Sequence, residues 1–405
     1  MLLRDALRVD GRALAASAAC AVWSCATLSA FLLARHDWLI VAVPAAGAAV
    51  LYALRFARQQ RAMFGIVACG LTGGLLALEI GLRLSLFGAD ALVHPSHYGA
   101  YSALLETGVV SPVDDPRLGF GLTPGYEGHV MGKPFRTSAQ GFRTKAFQPQ
   151  PEPGTVRVLV FGASIAMGAG VSEDETYTAV LGRRLTANLG HPVEALDLGV
   201  PAYSVPKTFY LAERMAQSLR PRVVVIELPP GALFARRDEA EPEVGRRAPL
   251  PVSTIERYSF AASALYPPAN LRERLARLPA RFTSSGRARG ADAVSTSSTP
   301  PLEHYLERLT NLGRVHGFAV VVLLVRPMAG FAEPNLEAPA RQRLQTICRE
   351  QGATLVDTFP LFHPGELADD FIIFPGDLHP DAAAHARFAS ALADAVTPIL
   401  HAPQP

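Results

Sequence analysis

Between residues 156 and 395 the chain alternates short apolar runs with longer amphipathic stretches, and this rhythm constrains its fold more than any other feature. The runs at 156–161, 193–198, 223–228, 319–325 and 353–356 are rich in Val, Leu and Ile. They read as strands buried on both faces. Segments 176–189, 205–219, 302–316, 338–351 and 381–395 have helical length and period. Parallel strands need a crossover between neighbours, and a helix supplies it. The pattern therefore predicts an α/β domain with a five-stranded parallel sheet covered by helices. The rhythm breaks at 232–300, where Arg- and Glu-rich stretches, Pro267-Pro268 and a polar tract at 295–299 predict an insertion. Such an insertion either shapes the ligand crevice at the carboxyl end of the sheet or is a tolerated surface excursion.

The first 87 residues are of another kind. Segments 13–33, 38–54 and 62–78 carry no charged residue, and they lift the mean hydropathy to +0.18. A helix needs about 20 apolar residues to cross a bilayer, with roughly 17 as the lower limit. About three transmembrane helices are expected. A cleaved signal peptide would account only for the first segment, and buried soluble helices would show a polar face. Arg4, Arg8 and Arg12 precede the first span, and Arg55, Arg58 and Arg61 separate the second from the third. The positive-inside rule then puts the N-terminus in the cytoplasm and everything after residue 87 outside it, so a multi-pass inner-membrane protein with a periplasmic or other extracytoplasmic domain is expected. Glu79 and Arg83, four apart, read as an ion pair on a helix surface rather than a transport element.

Segment 88–154 is too long for a simple connection and is expected to pack on the adjoining domain, 155–400. The formal net charge is +2 with no basic stripe, which gives no reason to invoke nucleic acid. Cys20, Cys25 and Cys69 lie in the apolar spans, so Cys348 alone in the remainder excludes an internal disulfide and a cysteine metal site there. It reads as a small buried hydrophobe. No phosphate loop and no His/Cys metal spacing occurs, so no cofactor and no metal is implied.

The chemistry centres on Val156-Arg157-Val158-Leu159-Val160-Phe161-Gly162-Ala163-Ser164. A buried strand that stops at glycine and presents a serine ahead of a helix is where α/β folds display a nucleophile. The same residues also suit a plain strand-to-helix turn. Far along the chain, Asp377-Leu378-His379-Pro380 offers a carboxylate and an imidazole that could orient and activate a serine. His363, His385 and His401 read as solvated, and Arg326, at a strand end, as a solvated residue rather than an anion site.

With these motifs the chain from Pro116 to about residue 395 resembles the SGNH hydrolases, the GDSL-type esterase superfamily, in a membrane-anchored bacterial branch. The resemblance includes the lead-in stretches Asp115-Pro116-Arg117-Leu118-Gly119 and Gln140-Gly141-Phe142-Arg143. It implies a three-layer flavodoxin-like domain, with Ser164 as nucleophile, His379 as general base and Asp377 orienting it. The backbone N–H groups of Ser164 and Gly199, the latter in Asp197-Leu198-Gly199-Val200, would form the oxyanion hole. The chain departs from the family at Ala163, where Asp is usual, and at Ala232, where an oxyanion-hole Asn is usual. The implied activity is a serine esterase acting through an acyl-serine intermediate on an envelope molecule, an O-acetylated glycan or a lipid. Passing the acyl group to a sugar hydroxyl would make it an O-acyltransferase. The two alanines admit a catalytically inactive glycan-binding protein. No protein partner is indicated.

Overall fold

The computed structural model describes residues 73–74, 76–85, 87–93, 108–229, 301–326, 334–362, 371–373 and 379–402. Residues 73–93 belong to one compact unit and the others to a second. In the first, residues 76–85 are helical, and Arg83 Nε lies 2.7 Å from Glu79 Oε1. The i, i+4 pairing is as expected, but both side chains are buried instead of lying on a helix surface. Burial makes the pairing close to obligatory, since either charge alone would be left without solvent. Among the described residues no helix is long and apolar enough to cross a membrane. The segments at 13–33 and 38–54, and most of 62–78, lie outside the described residues.

The second unit opens with two antiparallel hairpins. Strand β1 (Val110–Pro112) pairs with β2 (Phe120–Leu122), and β3 (Glu127–Val130) with β4 (Lys133–Arg136). Met131 and Gly132, both at positive φ, make the tight turn between β3 and β4. This segment is fastened by polar contacts to residues 203–214. Asp115 accepts hydrogen bonds from Tyr210 Oη at 2.6 Å and Arg214 Nη1 at 2.9 Å. Tyr203 Oη donates to the Phe120 carbonyl.

The sheet then forms from β5 (Val156–Phe161), β6 (Val193–Asp197), β7 (Val223–Leu228), β8 (Ala319–Leu324) and β9 (Thr354–Asp357). All neighbours are parallel, in the order β6-β5-β7-β8-β9. This is the flavodoxin-like arrangement, whose order reverses beside the first strand. It fits the α/β domain expected of an SGNH hydrolase. Each strand lies within one residue of its expected bounds, because a short, largely apolar run between helical stretches is most readily buried in a sheet.

Helices α1 (Tyr177–Leu189) and α5 (Ala382–His401) cover one face, and α2 (Val205–Leu219), α3 (Leu302–His316) and α4 (Pro334–Gln351) the other. The period of two is explicit in the core. Val158, Val160, Val223, Val225, Val321 and Leu323 pack with Tyr177, Leu181, Phe388 and Leu392. The alternate residues Leu159, Phe161, Val224, Ile226 and Val322 are buried too. Helix α5 continues six residues beyond the expected 395, through Pro398, because Val396, Ile399 and Leu400 keep its apolar face on the core. The insertion at 232–300 lies outside the described residues.

Candidate active site

Strand β5 is flanked on both sides by other strands, so the residues after Phe161 emerge within the sheet's carboxyl edge and not at its end. Gly162 makes the turn possible. A Cβ there would lie 2.7 Å from Ala166 Cβ and 2.7 Å from both Cβ and Oε2 of Glu227. Ser164 then stands half-buried at the start of a tight loop. Backbone bonds from Met167 to the Ala163 carbonyl (3.0 Å) and from Ala169 to the Ser164 carbonyl (3.0 Å) close that loop.

His379 reaches the same edge from the far end of the chain. Residues 371–373 run antiparallel to 379–381: Ile373 N–H donates to the His379 carbonyl at 3.2 Å, and Asp381 N–H to the Phe371 carbonyl at 2.8 Å. Asp381 also caps α5, its Oδ1 accepting from Ala384 N–H at 2.9 Å. Thus held, the buried imidazole places Nε2 2.9 Å from Ser164 Oγ. That is hydrogen-bonding distance for a base and the hydroxyl it would deprotonate. Asp377 and Ala232 lie outside the described residues.

Gly199 is in place, but its bonding is not the one expected. The chain after β6 presses so closely on the serine loop that a Cβ at Gly199 would collide with Met167 N and come within 2.8 Å of Ala166 Cβ. Its N–H, however, donates to Asp197 Oδ1 at 3.0 Å. An oxyanion role for Gly199 would require that bond to be shared or exchanged. Asp197 itself is fully buried. Desolvation pushes its carboxyl up to about 8, against the opposing pull of the Gly199 N–H and the Arg143 guanidinium.

Arg143, quoted in the sequence only as part of a lead-in stretch, proves to be a clamp on the serine loop. Its Nη1 donates to the carbonyls of Met167 (3.0 Å) and Gly168, and its Nη2 to that of Val171 (2.7 Å). The guanidinium is buried over the Phe135 ring, 4.6 Å from the centroid, and burial lowers its pKa. Charge, planarity and reach explain the choice of Arg, whose fork can satisfy three carbonyls together.

Two expectations need correction. His385 is not solvated but fully buried, because the first turn of α5 packs on the start of α1. Its Nδ1 accepts the Tyr177 N–H at 3.0 Å, and its ring stacks on that of Tyr177 at 5.5 Å. Nε2 therefore carries the ring proton, and burial pushes the pKa down to about 3, so the ring is neutral. Arg326, half-buried after β8, faces the rings of Phe359 and Phe362 at 6.0 and 5.8 Å, the outer reach of a cation–π contact, rather than standing in solvent. His401 is exposed as expected. Cys348 is buried, and its thiol is pushed up to about 12, consistent with a packing role. His363 lies outside the described residues.

No family model matches the chain, and no curated protein matches it in sequence. Solved structures do resemble it. TesA is 15% identical with a TM-score of 0.37, over 60% of this chain and 99% of its own. A member of the lipolytic protein G-D-S-L family from Veillonella parvula is 14% identical with a TM-score of 0.35, over 60% of this chain and 98% of its own. Axe2, an acetylxylan esterase from Geobacillus stearothermophilus, is 13% identical with a TM-score of 0.36, over 58% and 92%. Likeness this distant assigns neither a family nor an activity.

Proposed function

We propose that the chain is an SGNH-type serine ester hydrolase that acts through an acyl-serine intermediate on an ester of an envelope molecule, an O-acetylated glycan or a lipid. The observation that carries this reading is the 2.9 Å contact between Ser164 Oγ and His379 Nε2. With Nε2 unprotonated, the hydroxyl donates to it. As Ser164 Oγ attacks the acyl carbon, its proton passes to Nε2, and negative charge gathers on the former carbonyl oxygen. The Ser164 N–H, with that of Gly199 if it is released from Asp197, would stabilise this charge. Collapse breaks the bond to the alcohol, which leaves with the proton from Nε2. Water then attacks the acyl-serine by the same route and releases the acid. In this reading Asp377 holds the imidazole tautomer.

The envelope substrate rests on the apolar segments in residues 1–87 and their arginine flanks, which support a multi-pass inner-membrane placement with the catalytic domain outside the cytoplasm. A reporter fused after Pro405 tests that placement: activity of a reporter that works only in the cytoplasm counts against it. The reaction is tested with the full chain in detergent, incubated with an O-acetylated glycan and with an acetyl donor plus a deacetylated glycan. Release of free acetate that depends on Ser164 supports the hydrolase. Acetyl appearing on the acceptor sugar would instead make it an acyltransferase, and neither outcome would leave only a glycan-binding role.

A further inference from the structure

Strand β7 reads Val-Val-Val-Ile-Glu-Leu, and every one of its residues is buried, Glu227 included. An acid in the interior of a central strand is costly unless its oxygens are occupied. Here they are occupied at the nucleophile turn. In the register of β5 and β7, Phe161 stands beside Ile226, so the next pair is Gly162 and Glu227. Gly162 leaves empty the space that Glu227 fills, as the 2.7 Å approach of a notional Cβ to Glu227 Oε2 shows. The N–H groups of Ala163 and Ala166, which bracket Ser164, act on this carboxyl and oppose the rise in its pKa that burial causes. The hydroxyl of the fully buried Tyr177 lies 3.4 Å from Oε2 on the other side. The loop is thus held from two directions, its carbonyls by Arg143 and its N–H groups by Glu227.

We propose that Glu227 is a positioning residue for the reaction at Ser164: its carboxyl, standing in the space left by Gly162, fixes the N–H groups of Ala163 and Ala166 and so sets the direction of Ser164 Oγ and of its backbone N–H. The inference rests on Ser164 being the nucleophile. Glu227 touches neither substrate nor the reacting atoms, so its removal alters the geometry of the turn and leaves substrate binding largely intact. Misplacement of a reacting group by about 1 Å can cost roughly 100-fold in rate.

The test compares Glu227→Met, which keeps the volume and loses the acceptor, with Glu227→Gln, which keeps an acceptor oxygen, both in the full chain. Hydrolysis of p-nitrophenyl acetate should show kcat reduced by about 10- to 100-fold in Glu227→Met, with KM little changed, and most of that loss recovered in Glu227→Gln. A folded Met variant with wild-type kcat, or a Gln variant no better than Met, would overturn the proposal. If the Met variant does not fold, Glu227→Asp, which withdraws the acceptor by one methylene, is read in its place. Amide hydrogen exchange reads the same contact without needing activity. Exchange at Ala163 and Ala166 should accelerate in the Met or Asp variant and remain slow in the Gln variant. Unchanged exchange would sink the role of Glu227. A wild-type protein without esterase activity but with the predicted exchange would sink only the assignment of Ser164.

Discussion

Ser164 Oγ and His379 Nε2 stand 2.9 Å apart although 215 residues separate them in the chain. Neither side chain reaches the other by a flexible excursion. The serine is fixed by the loop that closes behind a central strand, and the histidine by a short antiparallel pairing and a capped helix. Backbone hydrogen bonds hold both, with the Asp381 side chain capping the helix beyond His379, so the contact is built into the fold.

That support makes the glycine behind the serine loop exacting. Gly199→Ala would drive a methyl group into Met167 N and Ala166 Cβ, a contact that only a shift of backbone can relieve. Overpacking of this kind costs about 1–3 kcal/mol. A lower urea midpoint with an unchanged m-value is expected, together with slower ester hydrolysis. Wild-type stability would show that the chain after β6 is not pressed against the loop.

Arg143 offers a larger effect. Replacing it with Met leaves the carbonyls of Met167, Gly168 and Val171 without their donors, at roughly 1–3 kcal/mol for a buried group left unpaired. For the three carbonyls together a loss on the order of 3 kcal/mol is expected in chemical denaturation. Arg143→Lys should recover little of it, because one ammonium cannot reproduce the planar fork.

Stability should also depend on pH in an unusual sense. Asp197 and Glu227 have folded-state values of about 8, above the ordinary 3.8 and 4.5. Their stabilising protons are fully in place below the ordinary carboxylate range and are lost as pH rises through 8. His385 acts oppositely. Its folded value of about 3 lies below 6.5, so its penalty appears as pH falls below 6.5, where the unfolded chain gains a proton that the folded one refuses. Between about pH 6.5 and 8 the two carboxyls act without opposition from His385. The denaturation midpoint should therefore fall across that window, and fall less steeply in Glu227→Gln. A midpoint that rises there would contradict the buried, neutral state of these acids.

These cases show how far the sequence could be read. The strands were legible because short apolar runs at this spacing leave few alternatives, and α2 and α3 match their expected bounds. Ser164 and His379 were legible from strand-end placement and local motif. Glu227, Arg143 and His385 were not. Each is a single polar residue whose role depends on a partner brought in by tertiary packing: a turn beside the neighbouring strand, a loop 24 residues on, and the first turn of α1. A lone Glu in an otherwise apolar strand was the one signal available for such a buried polar contact. For Gly199 the family resemblance pointed to the position, but neither the crowding that requires glycine there nor the engagement of its N–H with Asp197 was readable.

The most direct test of Ser164 as the nucleophile is covalent labelling of the full chain with a serine-directed fluorophosphonate, read by mass spectrometry of the peptide that contains Ser164. One label at Ser164 is predicted, with no label in Ser164→Ala and labelling slowed by about 1,000-fold or more in His379→Ala, since a serine without its base is a weak nucleophile. A wild-type protein that takes no label, or a Ser164→Ala variant that labels as well as wild type, would contradict it.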